Sequence, residues 1–234
     1  MSRRVLGVFA KMPVAGCVKT RLAAETSPAF AAAAAEAFLR DTLRRVGRIA
    51  DRSVVVFAPD SADAYFADLA AAHGMEAQAQ GEGDLGERLS RFFLSEGKED
   101  RVVAIGGDSP SMPVEYVEQA FDLLEDREVV IGPATDGGYY LLGCRGLFPE
   151  LFEGIPWSGP TVFADTVRRV RGRLCLLPAW HDVDTLADVE LLRGHIAARR
   201  KAGVDPALPR TESLLVDHFE TVVPASLPPH RDAR

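Results

Sequence analysis

Short apolar, β-branched runs alternate along the chain with amphipathic segments, the pattern of a layered α/β domain with a largely parallel sheet. The first run is Val5 to Ala10. Ser27, with Pro28 at a first helical turn, opens a segment in which Leu39, Leu43, Val46 and Ala50 recur at helical spacing. Ser53 to Ala58 reads as a second strand, and Ser61 as the cap of a helix that runs through Ala72 and stops at Gly74. Leu85 to Leu94 predicts a helix, Val102 to Ile105 a buried strand, and Pro113 to Leu124 a helix opened by proline. Two further strands, Val129 to Ile131 and Tyr139 to Leu142, are joined by a link too short for a crossover helix, so a mixed sheet is expected. Ser158 or Gly159 starts a helix reaching about Val170, Leu174 to Leu177 is a short strand, and Asp184 or Thr185 caps a helix from Leu186 to about Arg200. Prolines at 206, 209, 224, 228 and 229 then predict a loosely structured tail, with one short strand or helix around Leu214 to Phe219. The expected division is one main domain over residues 1–202 and a Pro-rich tail over 203–234, with no internal repeat.

At 234 residues, 47% apolar and 26% charged, the chain has the profile of a soluble globular protein long enough for a proper core. The net charge is −7, so no overall positive field gathers nucleic acid or anionic membrane, and an anionic ligand has to be held locally. The 3 cysteines, Cys17, Cys144 and Cys175, lie too far apart for a paired zinc motif or an even-numbered disulfide framework. Lys11 cuts the first apolar run short of a signal-peptide core, and no run approaches the roughly 18 apolar residues of a membrane span. A cytoplasmic protein is expected, and its oligomeric state is not legible in one sequence.

Several stretches carry residue types suited to chemistry. KMPVAGCVKTRLA, after the first strand, gathers Lys11, Lys19 and Arg21, with Gly16 and Thr20 between them. A glycine-bearing loop at the carboxyl end of a first strand is where open α/β sheets bind phosphates, because backbone N–H groups and cations converge there. Val18 stands where a Walker A loop needs glycine, so any grip on phosphate is mainly by side chains; the plain alternative is a solvated basic loop. GEGDLG, from Gly81 to Gly86, matches the dinucleotide fingerprint by letter, but MEAQAQ before it makes a poor buried strand. Asp84 and Arg88 could still orient a nucleotide base or ribose, or Asp84 simply caps a helix.

Gly106 and Gly107 let the chain turn tightly before Asp108, whose hard carboxylate could hold Mg²⁺ or Mn²⁺ on a diphosphate, or could satisfy its own turn. HDVDTLADVE adds Asp182 and Asp184, which point the same way in extended geometry and could face one ion; His181 beside them is given no role. Asp136, Gly137, Gly138 and Tyr139 read either as a hairpin turn or as a place where glycines admit an acceptor or sugar while Asp136 acts as general base. Trp157 and Ser158 could wall the same pocket, or the indole is simply core.

With these stretches in order, the chain resembles, over roughly residues 5–195, a bacterial family of nucleotide-diphospho-sugar glycosyltransferases, some of whose members are assigned to arsenosugar biosynthesis. The resemblance rests on the VKTRL loop, GEGDLGERL, GGDSP, TDGGYYLLG, the pair Trp157 and Ser158, and DVDT. It implies a GT-A-like, Rossmann-like three-layer α/β fold that binds a nucleotide-sugar with a divalent ion. The chain is also similar to molybdopterin cytidylyl- and guanylyltransferases and to phospholactate guanylyltransferases, whose pattern carries over as Lys19 and Arg21 near phosphates, Asp108 as metal ligand and Asp184 as the second. Two departures stand out: Asp108, Ser109 and Pro110 replace the Asp-x-Asp signature of glycosyltransferases, and the first loop is poorer in glycine than in the nucleotidyltransferases. Three functions are therefore expected in order: metal-assisted glycosyl transfer from a nucleotide-sugar to a small acceptor, nucleotidyl transfer from an NTP with release of pyrophosphate, and a nucleotide-binding module without catalysis.

Overall fold

The apolar runs become strands because each is flanked by glycine, proline or polar turns and is β-branched enough to pack on both faces. A computed structural model describes residues 2–220. The strands are β1 (Arg4–Lys11), β2 (Arg52–Ala58), β3 (Glu76–Ala79), β4 (Arg101–Gly106), β5 (Val129–Pro133), β6 (Tyr139–Arg145) and β7 (Leu174–Leu176). Among the described residues they form one seven-stranded sheet in the order β3-β2-β1-β4-β6-β5-β7. β1 lies parallel to β2 and β4, β2 to β3 and β5 to β7, whereas β6 runs antiparallel to β4 and β5. The sheet is thus mixed and mostly parallel, as expected: the short 132–138 link can only fold β6 back beside β5.

The helices are α1 (Thr20–Glu25), α2 (Pro28–Val46), α3 (Asp63–Ala72), α4 (Leu85–Ser95), α5 (Val114–Leu123), α6 (Val162–Arg169), α7 (Leu186–Lys201) and α8 (Pro209–Glu220). Alternation along the strands separates two cores. Leu6, Val8, Val55 and Phe57 face α2, α3 and α5, while Val5, Val54 and Val56 face Leu89, Phe92 and Phe93 of α4. A third cluster joins α1, α2, α7 and α8. No helix among the described residues is long and apolar enough to cross a membrane.

The structure departs from the sequence reading at several places. MEAQAQ does contain a strand: β3 sits at the sheet edge, where one partner suffices and polar residues are favoured, and its Glu76 pairs with Arg52 at 2.9 Å. Ser61 falls inside a short 3₁₀ turn and caps nothing. The helix expected from Ser158 begins only at Val162, because Ser158 is left-handed (φ 70°) and the chain is still turning through Pro160. α1 was not anticipated. In the expected tail, α8 starts at Pro209, earlier than the predicted short element, and buries Leu215 in the third core cluster. Buried Asp41 of α2 anchors it by accepting from the backbone N–H groups of Arg210 (3.2 Å) and Thr211 (2.8 Å). Residues 221–234, the rest of that tail, lie outside the described residues.

One position of β1 admits no side chain at all. A Cβ on Gly7 would lie 2.5 Å from the Phe92 ring, since α4 packs directly over the strand. Gly7→Ala is expected to destabilise the fold by about 1–3 kcal/mol through overpacking. Urea unfolding measures the loss, and adding Phe92→Leu should recover part of it.

Candidate active site

The site is built at the carboxyl edge of β1 and β4, where a parallel sheet presents its loops. β1 ends at Lys11, and the loop after it turns at Gly16 (φ 82°), where the place a side chain would take is open. It finishes at Lys19, whose backbone is left-handed (φ 47°, ψ 46°), a conformation that costs a non-glycine residue of order 1 kcal/mol. That turn precedes α1, exposes Thr20 at its first position and sends the Lys19 side chain inward, where it is only 3% exposed.

Two carboxylates meet the buried ammonium. Lys19 Nζ lies 2.5 Å from Asp108 Oδ1 and 2.9 Å from Asp184 Oδ1, and Arg21 Nη2 lies 2.5 Å from Asp184 Oδ2. Burial alone would lower the Lys19 pKa, but the two carboxylates outweigh it and hold the ammonium above its ordinary value. Three segments far apart in sequence therefore converge on one nitrogen. The backbone ties them as well, since Val183 N–H donates to the Asp108 carbonyl at 3.0 Å. Asp184 is free for this role because Thr185 caps α7, forming a reciprocal capping box with Asp188.

A cavity of about 520 Å³ opens beside this cluster, lined by Lys11, Thr20, Gly107, Asp108, Ser158 and Asp184 among others. Among the described residues no group of three or more His, Cys, Asp or Glu side chains is assembled as a metal site. Two hard carboxylates already converge on one cation, however, and Mg²⁺ typically takes one or two carboxylates and completes its shell with phosphate and water. The donor set thus fits a metal that arrives with a diphosphate.

Asp182 behaves differently from Asp184. It is largely buried, accepts a 2.5 Å hydrogen bond from Ser109 Oγ, and its carboxyl is pushed up to about 6, chiefly by burial. The two aspartates therefore have separate partners, Asp182 below the turn and Asp184 on the cations. Ser109, itself buried, had no sequence signal beyond its place in the turn.

A second cavity, of about 830 Å³, shares Lys11 and Cys17 with the first and is lined further by Met12, Pro59, Asp60 and Arg88. Arg88 reaches it with help from buried Gln80, whose Oε1 accepts from Arg88 Nη1 (3.2 Å) while its Nε2 donates to the Ala10 and Val56 carbonyls. Gln80, the last residue of MEAQAQ, carries no signal of this role in the sequence. Asp84 lines neither cavity: it caps α4 in a box with Glu87, its Oδ1 accepting from the Glu87 N–H at 2.9 Å.

The remaining expected residues scatter. Asp136 stands in an exposed turn with Oδ1 accepting from the Gly138 N–H (2.9 Å), and lines neither cavity. Gly137 (φ 95°) is needed because a Cβ would lie 2.1 Å from the Pro160 carbonyl oxygen, so this turn packs on the loop that supplies Ser158. Tyr139 points into the second core, where burial pushes its phenol up, and is not placed to meet an acceptor. Trp157 packs against Gly86 at the start of α4 and serves as wall rather than cavity lining.

The raised Asp182 carboxyl has a stability consequence. Its folded pKa of about 6 exceeds the ordinary 3.8, so the folded state binds the proton more tightly. Stability falls as pH rises from about 4 to 6, and the full penalty persists above that window. Asp182→Asn keeps an acceptor for Ser109 and removes the ionisation. It is expected to be more stable than the parent by about 2 kcal/mol at pH 8 and no more stable near pH 4. Denaturant unfolding at the two pH values checks this; an equal difference at both would refute it.

Comparison with known proteins agrees with this architecture. A family described as "uncharacterized protein conserved in bacteria (DUF2064)" matches residues 42–159, about half the chain, which include Asp108, Asp136 and Ser158 but neither Lys19 nor Asp184. A structure from Desulfovibrio desulfuricans, provisionally named a nucleotide-diphospho-sugar transferase, superimposes with a TM-score of 0.79 at 33% identity, covering 93% of this chain and 99% of that one. More remote likenesses share the fold. CMP:2-keto-3-deoxy-manno-octonic acid synthetase, complexed with CTP, gives a TM-score of 0.52 at 14% identity over 85% of this chain and 100% of that one. A Mycobacterium tuberculosis protein in complex with manganese gives 0.50 at 19% identity over 82% and 97%. No curated protein matches the chain in sequence. The chain belongs to the DUF2064 family of bacterial proteins, the family of nucleotide-diphospho-sugar transferase type that its sequence motifs resemble.

Proposed function

We propose that the protein is a glycosyltransferase that moves a sugar from a nucleotide-sugar donor to a small acceptor with the help of Mg²⁺ or Mn²⁺. The observation that carries this reading is the convergence of Asp108 and Asp184 on Lys19, with Arg21 beside them, at the carboxyl edge of the sheet. Its likeness to a protein provisionally named a nucleotide-diphospho-sugar transferase supports it.

In this reading Asp108 and Asp184 hold the ion, Lys19 and Arg21 meet the diphosphate, and the backbone of the Gly16 loop lets it approach. A divalent ion there supplies positive charge against the negative charge that builds on the departing diphosphate. Lys19 is already desolvated and ionised, so it needs little reorganisation when charge develops near it. Lys11 and Arg88 border the larger cavity, which is roomy enough for a base and ribose. Asp136 is the proposed base for the acceptor hydroxyl, in a turn that packs through Gly137 on the loop carrying Ser158.

A second reading is nucleotidyl transfer, favoured by the shared fold with a CTP-bound synthetase. The same cluster would then grip an NTP, with pyrophosphate as product. Incubation with nucleotide-sugars or NTPs and identification of the released product separates the two: a nucleoside diphosphate supports glycosyl transfer, and pyrophosphate replaces it with nucleotidyl transfer.

Asp108→Asn tests the cluster itself. With Mn²⁺ present, a nucleoside diphosphate is expected to raise the melting temperature of the parent protein by mass action. In the variant the metal-dependent part of that rise should vanish and turnover should fall by about 100-fold or more. Retention of both in a folded variant overturns the assignment of Asp108.

A further inference from the structure

The two segments that carry the site carboxylates continue into another cavity. Ser111 and Pro113 follow Asp108 and Ser109, Trp180 precedes Asp182, and all three line a space of about 450 Å³. Its remaining walls come from α2, the start of α5, the second half of α7 and the turn before α8, and it shares no residue with either cavity described above. This volume lies within the usual range for small-molecule sites.

Its charge is unusual. Arg45 and Arg199 both line it, and among the described residues neither lies within ion-pairing distance of a carboxylate. Arg45 donates to the Pro110 and Met112 carbonyls, and Arg199 donates to the Asp205 carbonyl at 3.2 Å, so both guanidiniums are held by the backbone and not by an ion pair. Burial and the Arg199 charge lower the Arg45 pKa, the sign of two cations that disfavour each other. Glu115 is the one carboxylate in the lining, which leaves a positive excess.

The cavity also has a fixed aromatic wall. Trp180 is held by a backbone bond to Pro133 (3.0 Å), by the edge-on ring of Tyr116 at 6.0 Å and by His181 stacked at 5.0 Å. Among the described residues Trp180 Nε1 and Ser111 Oγ are buried and have no hydrogen-bond partner, which is costly unless something else satisfies them. Ala207, also in the lining, is held left-handed (φ 60°), a strain that non-glycine residues seldom carry without a role.

We propose that this cavity is a second ligand site, taking a small planar acid: a ring against the Trp180 indole and one carboxylate between Arg45 and Arg199. A guanidinium fork matches a carboxylate in shape, and a monoanion matches the single positive excess left by two arginines and Glu115. The site is independent of the transferase reading, because it uses none of the residues assigned to nucleotide or metal.

Benzoate is the probe and benzyl alcohol its neutral control. The chain has 2 tryptophans, so Trp157→Phe leaves Trp180 as the sole tryptophan, read by selective excitation at the red edge of its absorption band. Benzoate is expected to change its emission saturably, and benzyl alcohol to bind about tenfold more weakly or worse. Exposed Arg199, changed to Glu in the same background, should weaken benzoate by about tenfold or more. Asp108→Asn should leave benzoate binding unchanged. Should Trp157→Phe fold poorly, the benzoate-dependent rise in melting temperature of the unmodified chain, and of Arg199→Glu, reads the same difference. No saturable response, equal binding of benzyl alcohol, full affinity in Arg199→Glu, or loss of binding in Asp108→Asn each overturns the proposal.

Discussion

The Lys19 ammonium, buried and held by two carboxylates, is the constraint around which the upper edge of the molecule is arranged. A lone buried charge would be expelled or neutralised, so its burial requires Asp108 and Asp184 to arrive together. That demand couples the loop after β1, the turn after β4 and the segment before α7. Their covalent connections do not bring them together; the parallel pairing of β1 with β4 and the Val183 to Asp108 backbone bond do. The left-handed backbone of Lys19 is the local cost of pointing that side chain inward.

The charges of this cluster balance. Lys19 and Arg21 oppose Asp108 and Asp184, while Asp182 stands apart from that balance, hydrogen-bonded to Ser109 and not to either cation. A bare divalent cation entering such a site meets an ammonium already seated between its two carboxylates. A bare diphosphate meets two carboxylates beside its two cations. The combination suits neither ion alone, but a metal-bound diphosphate brings charges of both signs and can exchange partners with the whole cluster. In the proposed reading this favours recognition of the complex over its components, a specificity set by electrostatics before any base or sugar is read.

Much of this was legible in the chain. Strands β1, β2, β4, β5 and β6 followed from apolar runs, and the turn before β6 from its length. Asp108 stood out because two glycines after a buried strand place its carboxylate at the strand's carboxyl end, where ligands collect, with a role in its own turn as the alternative. What the sequence left open was the division of labour between neighbours. Either Asp184 or Thr185 could cap α7, and the outcome depended on Asp188 completing a box with Thr185. Asp84 had the letters of a ligand contact but Glu87 three residues on, which made it a cap. Gln80 and Ser109 carried no pattern, because their partners, Arg88 and Asp182, become neighbours only through the fold. Of α8 only a short element around Leu214 to Phe219 was expected, and its earlier start escaped for a similar reason: its anchor is Asp41, on a helix from the other end of the chain.

The cluster by itself does not choose between glycosyl and nucleotidyl transfer, and there is a physical reason for this. Both reactions expel a phosphate-bearing group whose charge must be met by cations at the sheet edge, so both need the same groups in the same place. The choice falls to whatever stands across the cavity and positions the attacking atom. In the proposed reading that is the loop through Ser158, which lines the cavity and packs on the 134–138 turn by a contact so close that only glycine fits at position 137. Its geometry is set by Pro160 and the left-handed Ser158 and not by the sheet. In the proposed reading the fold fixes how phosphate is held, while a short, independently constrained loop sets what attacks it. Proteins sharing the first feature can differ in chemistry through the second.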